Sequence, residues 1–164
     1  VSYKKYTNSV LTVEPGANLH RLRREVTISK QVKSVTVRNH NTEDADKPFE
    51  SKAVSVTAVG GGSKAGADTT KLINQSMEKV VVDNTVRSEA EAKARAEALM
   101  NELSMGFLTG TMEIAGLPAV IPGRMVTVAK VNDDFNRDYF ITKVVHHMDK
   151  DGFQTTIDFA GNKM

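Results

Sequence analysis

The stretch "DYFITKVVHHMDKDGFQTTIDF", Asp138–Phe159, decides the fold. In its second half, the apolar residues Phe153, Ile157 and Phe159 alternate with polar residues, which is typical of a strand with one buried face. The dipeptide Asp151-Gly152 separates the two halves, and glycine readily adopts the positive φ that a tight hairpin turn needs. The stretch therefore predicts two long antiparallel strands joined by a short turn.

The first half of this stretch predicts an uninterrupted strand. Its expected faces are Tyr139, Ile141, Lys143 and Val145 on one side and Phe140, Thr142, Val144 and His146 on the other. The second strand is expected to turn Gln154, Thr156 and Asp158 outward.

Two of the four histidines, His146 and His147, lie beside Asp149 and Asp151, a composition that suggests a metal or acid–base site. Neighbouring residues on a strand point to opposite faces, so the two histidines cannot bind one ion. A hydrolytic metal site also needs three convergent protein ligands, and no third ligand has a recognisable spacing. We expect a histidine pair at a strand end, with one side buried and one exposed, and turn roles for both aspartates.

The segment "RSEAEAKARAEALMNELSMG" predicts a helix over residues 88–105. Ser88 and Glu91 have the spacing of a capping box, and Glu91 and Arg95 form one of several oppositely charged pairs at helical spacing. The apolar stripe consists of Ala92, Ala96, Leu99, Met100 and Leu103. This stripe favours either packing on a sheet or a position at a subunit interface.

Further strands are predicted by alternating or apolar segments in "KSVTVRN", "SKAVSVTAVGGG", "EKVVVDN", "GTMEIAG" and "RMVTVAKV". The fold class is therefore mainly β with one α-helix. Residues 1–30 are weakly periodic and are expected to form an N-terminal arm or partial strand region, with the main domain in residues 31–164. Because the chain begins with Val1, we expect a processed protein or a fragment of a longer one.

Composition excludes several functional classes. The 164 residues contain no cysteine, which rules out disulfides and thiol catalysis. A net charge of +2 gives no strong field, and the basic segment "HRLRRE", His20–Glu25, is better read as solvated than as a phosphate-binding patch. We expect no nucleic-acid partner. No apolar run reaches membrane-spanning length, so no membrane insertion by this segment is expected.

Other candidate sites lack the required patterns. The glycine-rich stretch Gly60–Lys71 has no Gly-Lys-Ser/Thr sequence and is expected to be a flexible loop. Asp133 and Asp134 fit a polar turn better than a calcium loop. The sequence therefore predicts no catalytic, metal-binding or cofactor-binding residues, no cofactor and no enzymatic activity.

Three segments together resemble the phage late-control protein D family, the tail baseplate hub proteins of contractile-tailed phages. They are "AEAKARAEALMNEL", "GTMEIAGLPAVIPGRMVTV" and the hairpin stretch quoted above. The shared patterns are G-x-P-x-x-x-P-G-x-x-V-x-V, Y-x-I-x-x-V-x-H and F-x-T-x-x-x-F. Type VI secretion spike proteins and related contractile injection systems share this architecture. The likeness covers Ser88 to Phe159, whereas Arg38–Asn41 departs from the Gly-Tyr-Asp-like turn of the family.

The resemblance implies an antiparallel β-barrel-like hub domain with an alanine-rich crossover helix. It further implies a homotrimeric ring that joins the tail tube to the spike and has no catalytic residues in this region. The expected partners are other copies of this chain and the tube and spike proteins. The expected location is the virion tail baseplate, assembled in the bacterial host cytoplasm. The chain would then be a fragment of a longer hub protein.

An assembly subunit needs a surface that contacts its neighbours, and Gln154, Thr156 and Asp158 are the candidate surface. Two alternatives remain open at this point. One is a β-barrel module that binds carbohydrate or cell wall, although the absence of Trp and the presence of only three Tyr disfavour sugar stacking. The other is a component of a cell-wall hydrolase, but its adjacent acidic residues would lie in predicted turns.

Overall fold

The computed structural model describes residues 8–29, 31–40, 47–59, 77–150 and 152–164. These residues form nine β-strands and one α-helix, which confirms the mainly β fold class. They divide into two compact units. Unit 1 contains the described residues 8–27, 57–59, 105–150 and 152–164, and unit 2 contains 28–29, 31–40, 47–56 and 77–104.

Unit 1 is built on a six-stranded sheet that curls into a half-barrel. In sheet order its strands are β1 (Ser9–Val13), β7 (Met125–Val128), β8 (Arg137–Asp149), β9 (Gly152–Gly161), β6 (Leu108–Ala115) and β2 (Leu19–Val26). β1 runs parallel to β7, and every other neighbouring pair is antiparallel. The barrel-like architecture expected from the sequence is thus confirmed.

β8 and β9 form the predicted hairpin. Asp149 pairs with Gly152 at its end, and Gly152 has a φ of 125°, a conformation that favours glycine. Asp149 still belongs to β8, so it is a strand residue rather than the predicted turn residue. Asp151, the other predicted turn aspartate, lies outside the described residues.

A β-bulge interrupts the alternation of β8. The pairing with β9 is regular up to Ile141 and resumes at Lys143, which leaves Thr142 as the extra residue. The predicted alternation is therefore wrong beyond Ile141, because the bulge exchanges the two faces. The observed faces are Tyr139, Ile141, Val144 and His146 on one side and Phe140, Lys143 and Val145 on the other.

The core of unit 1 lies on one face of this sheet. Its fully buried side chains include Leu108, Met112, Ile114, Val126, Tyr139, Ile141, Ile157 and Phe159. The rings of Tyr139 and Phe159 lie 4.5 Å apart at 51°. Gly110 on β6 pairs with Phe159, and a Cβ atom at position 110 would lie 2.4 Å from Cζ of that ring. Phe159 therefore occupies the space that the glycine leaves.

Unit 2 packs helix α1 (Glu89–Ser104) on a three-stranded sheet. The sheet order is β4 (Phe49–Ala53), β3 (Ser34–Asn39) and β5 (Glu78–Val82), with β3 antiparallel to β4 and parallel to β5. Ala92, Ala96 and Met100 on the helix are almost inaccessible and share one apolar cluster with Val35 and Val37 of β3. The predicted apolar stripe, and its packing on a sheet, are therefore confirmed.

The N-terminus of α1 is capped much as the sequence predicts. The Ser88 Oγ accepts a hydrogen bond from the Glu91 backbone N–H at 3.2 Å. The Glu91 carboxylate accepts from the Arg87 N–H at 2.7 Å, one residue before the position used in a capping box. Arg95 does not use its expected partner Glu91 here: its Nε donates to Asp83 Oδ2 at 3.1 Å.

We expect Ser88→Ala to lower the free energy of unfolding of unit 2 by about 1 kcal/mol, because the N–H groups of the first turn lose an acceptor. Urea unfolding followed by far-ultraviolet circular dichroism measures the change. Ser88→Asn, which keeps a side-chain acceptor, is the control and should stay within about 0.5 kcal/mol of the wild type. Equal losses in the two variants would contradict the capping role.

The N-terminal region is more regular than the sequence predicts. β1 ends two residues before Pro15-Gly16, where Gly16 has a φ of 77°. β2, however, spans the segment His20–Glu25 that was expected to be solvated chain. The inward positions do not alternate regularly in sequence, because the register shifts between Leu19 and Arg21 and because Arg24 lies inward between Leu22 and Val26.

The division into units also differs from the predicted arm and single domain. β1 and β2 belong with the C-terminal strands, whereas α1 belongs with β3, β4 and β5. Each unit has its own apolar cluster. α1 buries its apolar stripe on the three-stranded sheet and therefore belongs to unit 2.

β4 is also shorter than predicted, since residues 54–59 form no strand.

Candidate assembly surface

The two histidines lie near the tip of the β8–β9 hairpin and point to opposite faces. His146 Nδ1 lies 2.9 Å from the hydroxyl of Thr155, and the imidazole packs 5.8 Å from the Phe153 ring. His147 Nε2 lies 2.9 Å from Asp149 Oδ2. The expectation that the histidines cannot share an ion is therefore confirmed. Both are exposed, so the predicted burial of one of them is wrong.

No group of three His, Cys, Asp or Glu side chains in the described part of the chain could hold a metal ion. Asp133 and Asp134 lie in a turn, where Asn132 Oδ1 accepts from the Phe135 N–H at 3.0 Å. The turn reading of this acidic pair is therefore confirmed. The glycine-rich stretch Gly60–Lys71 lies outside the described residues.

The three candidate surface residues do face away from the core of unit 1. Gln154 is exposed, and Thr156 and Asp158 are half-buried, whereas the intervening Thr155 and Ile157 are fully buried. β9 lies inside the sheet between β8 and β6. These residues therefore form the middle of an outward face and are not an exposed strand edge.

Charged and polar groups surround Asp158 on this outward face. Its carboxylate accepts from the Thr111 hydroxyl at 3.2 Å and lies 4.0 Å from Lys143 Nζ. Arg21 and Glu113 form a neighbouring pair at 3.8 Å. Exposed pairs of this kind contribute little to stability, about 0–1 kcal/mol each. They leave a polar face of mixed charge that is available for contact with another chain.

The hairpin end exposes apolar side chains on both faces: Val145 lies on the outward face with Lys143, and Met148 lies on the face of His146. Met148 is 76% exposed and Val145 is 45% exposed. The loop that follows β6 contributes Leu117 and Ile121, which are also exposed. It is fixed to the hairpin because the Leu117 N–H donates to the Thr155 hydroxyl at 3.1 Å and the Gly116 N–H donates to the Phe153 carbonyl at 2.9 Å.

A second apolar cluster lies on the opposite side of the sheet from the main core. It contains Val59, Met105, Met125, Phe140 and Ala160. Residues 57–59 are held there by the buried Asn162, whose Oδ1 accepts from the Val59 N–H at 2.9 Å and whose Nδ2 donates to the Thr57 carbonyl at 2.6 Å. One end of the outward face is thus covered by residues 57–59.

Two arginines lie on the core face at the other end of unit 1. Arg24 donates from Nη1 to the Asp134 carbonyl, and its guanidinium lies 4.2 Å from the centre of the Phe135 ring. The Tyr139 hydroxyl donates to the Phe135 carbonyl at 3.0 Å. Burial raises the pKa of Tyr139, and the guanidinium groups of Arg24 and Arg137 oppose that rise. Sequence reasoning missed this cluster, because the inward direction of Arg24 depends on the pairing of β2 with β6.

A groove of about 500 Å³ lies on the surface of unit 2 beside α1. It is lined by Asp83, Thr85, Val86, Glu91, Ala94, Arg95 and Ala98. Hydrogen bonds from the hydroxyl and N–H of Thr85 lower the pKa of Asp83, with a further contribution from Arg95. Asp83 is therefore held as a carboxylate, and it forms an ion pair with Arg95 at 3.1 Å.

The described residues include no helix with the length and apolar character needed to cross a membrane.

Comparison with solved structures identifies the fold as one found in phage tail proteins. The 43 kDa tail protein of prophage MuSo2 from Shewanella oneidensis matches 94% of this chain at 12% identity with a TM-score of 0.67. A tail protein from Neisseria meningitidis MC58 also matches 94% of this chain, at 16% identity and with a TM-score of 0.64. A chain of a gene transfer agent virion matches 97% at 11% identity and 0.58. The chain spans 44%, 44% and 33% of those proteins.

The chain belongs to the family described as the Alg8 N-terminal domain, whose model matches residues 3–150. This is a different family from late-control protein D, which the C-terminal motifs resemble. A search of curated proteins found no match. The comparisons thus establish the fold and the family of this chain.

Proposed function

We propose that the chain is a non-catalytic structural component of a phage tail, and that it forms part of the baseplate hub that joins the tail tube to the spike. The observation that carries this proposal is the fold shared with the Shewanella oneidensis prophage tail protein over 94% of the chain. At 12% identity the two proteins share a fold, and the role in a phage tail is proposed for this chain by analogy.

The surface of unit 1 supports an assembly role. β1 and β2 lie at the two edges of the six-stranded sheet, so each has one side that no described strand pairs. Unpaired edges bind other chains readily unless they are covered. The hairpin end exposes Val145 on the polar outward face and Met148 on the opposite face. These features favour contacts with neighbouring subunits over a buried small-molecule site.

The proposed assembly is a homotrimer that lies between tube and spike in the virion tail baseplate and forms in the host cytoplasm. Closed rotational symmetry lets each copy use one surface to contact the next without open-ended growth. The tail tube and spike proteins are the other proposed partners.

Light scattering over a concentration series tests the proposed trimer, using this chain and a longer parent protein that we propose contains it, since the chain spans 44% of the Shewanella oneidensis tail protein. Co-purification of the parent with tail tube and spike proteins tests the partners. Immunogold labelling of intact particles tests the location. Trimers, co-purification and labelling at the baseplate are the expected results. A monomeric parent that binds neither protein and labels no tail would contradict the proposal.

The candidate surface on β9 gives a sharper test of assembly. We expect Thr156→Arg combined with Asp158→Arg to weaken self-association of the parent at least tenfold, because two long cations would enter a face that already contains Lys143. The measurement is the dissociation constant from light scattering, with circular dichroism to check folding.

Glu97→Arg, an acid-to-base change on an exposed position of α1, is the matched control and should leave association unchanged. The single variant Thr156→Arg separates added charge from loss of the Asp158 contacts. If the folded double variant associates like the wild type, this face is not the interface.

A further inference from the structure

Two of the three guanidinium nitrogens of Arg137 are buried without a partner among the described residues. Its Nε and Nη1 atoms are inaccessible to solvent and have no hydrogen-bond acceptor among the described residues. Buried polar atoms nearly always have a partner, and a buried guanidinium without one is particularly unfavourable. The two nitrogens therefore need an acceptor that the described protein groups do not supply.

A second guanidinium lies in the same cluster. Arg24 on β2 pairs with Gly110 and so shares the core face with Phe159. Arg137 lies two residues before Tyr139 on β8 and faces the same way. Arg24 lies against the Phe135 ring, and the Phe135 carbonyl accepts from the hydroxyl of Tyr139, so the positive charge of both arginines is concentrated at this end of the sheet.

The acidic residues nearby do not neutralise this charge. Asp134 offers Arg24 its backbone carbonyl and not its carboxylate. Asp138, next to Arg137 in sequence, faces the other side of the sheet, where its carboxylate accepts from the Thr127 hydroxyl at 2.5 Å. Neither Arg24 nor Arg137 forms an ion pair with a carboxylate of the described residues.

We propose that Arg24 and Arg137 form a binding site for a small oxyanion, a phosphate or a carboxylate, at this end of the unit 1 sheet. Planar guanidinium groups match the oxygens of these anions in geometry and charge. Phe135 lies over Arg24 at one side of the site, where its ring stabilises the cation and excludes water. Both arginines are half-buried as whole residues, and because Nε and Nη1 of Arg137 are inaccessible, the anion reaches them only when this side chain moves toward solvent. This proposal does not depend on the role in a phage tail.

Thermal unfolding with inorganic phosphate tests the site, with sodium chloride at the same ionic strength as the reference. We expect phosphate at about fifty times its dissociation constant to raise the Tm of the wild type by about 5 °C or more. Arg137→Met should remove that shift yet unfold no earlier than the wild type in chloride, because an uncompensated buried charge is replaced by a side chain of similar length. Arg24→Lys should reduce the shift, since a point charge replaces a planar one.

Arg23→Met is the matched control, because Arg23 lies next to Arg24 but pairs with Thr111 on the outward face. It should keep the full phosphate shift. A parallel series with acetate distinguishes a carboxylate site from a phosphate site. If phosphate and acetate shift the wild type and Arg137→Met equally, or shift neither, the proposal is overturned and ordered water satisfies the two nitrogens.

Discussion

The Gly110→Val variant is expected to lose at least about 3 kcal/mol of the free energy of unfolding of unit 1, because overpacking inside a closed core forces the backbone to move. A Cβ atom at position 110 would lie 2.3 Å from the Arg23 carbonyl oxygen and 2.4 Å from Cζ of Phe159. The carbonyl belongs to the neighbouring strand and cannot rotate away. The Phe159 ring is held against Tyr139. Urea unfolding followed by tyrosine fluorescence and circular dichroism measures the loss.

Thr109→Val is the control for this variant, because position 109 is exposed on the same strand and takes the same new side chain. We expect its stability to stay within about 0.5 kcal/mol of the wild type. Adding Phe159→Leu to Gly110→Val should recover only part of the loss, since the contact with the carbonyl remains. A Gly110→Val protein as stable as the control would show that the packing of Phe159 on this glycine is wrong.

Met100→Ala is expected to lower the free energy of unfolding of unit 2 by about 3 kcal/mol, because it leaves a cavity between α1 and the three-stranded sheet. Met100 is 1% exposed and shares its cluster with Val35, Val37 and Ala96. The helix contributes small alanines at the other buried positions, so this methionine supplies much of its apolar volume. Urea unfolding measures the change, and amide hydrogen exchange on β3 locates it.

Glu97→Ala provides the comparison on the exposed side of the same helix. We expect the free energy of unfolding to change by less than about 0.5 kcal/mol, because Glu97 is exposed and alanine has a high helix propensity. Faster exchange of β3 amides should appear in Met100→Ala alone. Equal effects of the two substitutions would rule out the packing of α1 on the sheet through Met100.

The parts of the fold that were predictable from sequence are those set by local patterns. The hairpin turn follows from Asp151-Gly152, and the helix start follows from Ser88. The β-bulge in β8 was not predictable, because the segment Ile141–Val145 supplies an apolar residue to the face of Ile141 in either register. That residue is Val145 without the bulge and Val144 with it. β2 was missed because Arg24 occupies an inward position that a pattern search assigns to solvent.

The direction in which the candidate surface residues point was predictable, whereas the neighbours of β9 in the sheet were not. Alternation along β9 places Thr156 and Asp158 outward, and the structure agrees. That β9 lies between β8 and β6 depends on pairing with β6 residues 39 to 53 positions away, which periodicity cannot reveal. The same limit applies to Arg137, whose lack of a partner appears only when Asp138 is seen to face the other side.

The central position of β9 has a consequence for biosynthesis. Among the described strands it leaves the ribosome last, yet β6 and β8 reach each other only through it. Until β9 is made, unit 1 consists of two separate groups of paired strands, β1-β7-β8 and β6-β2. β8 and β6 then each have an unpaired edge that β9 later covers. α1 and the strands that it covers are complete earlier in translation. Premature termination before residue 152 would therefore release chains prone to aggregation.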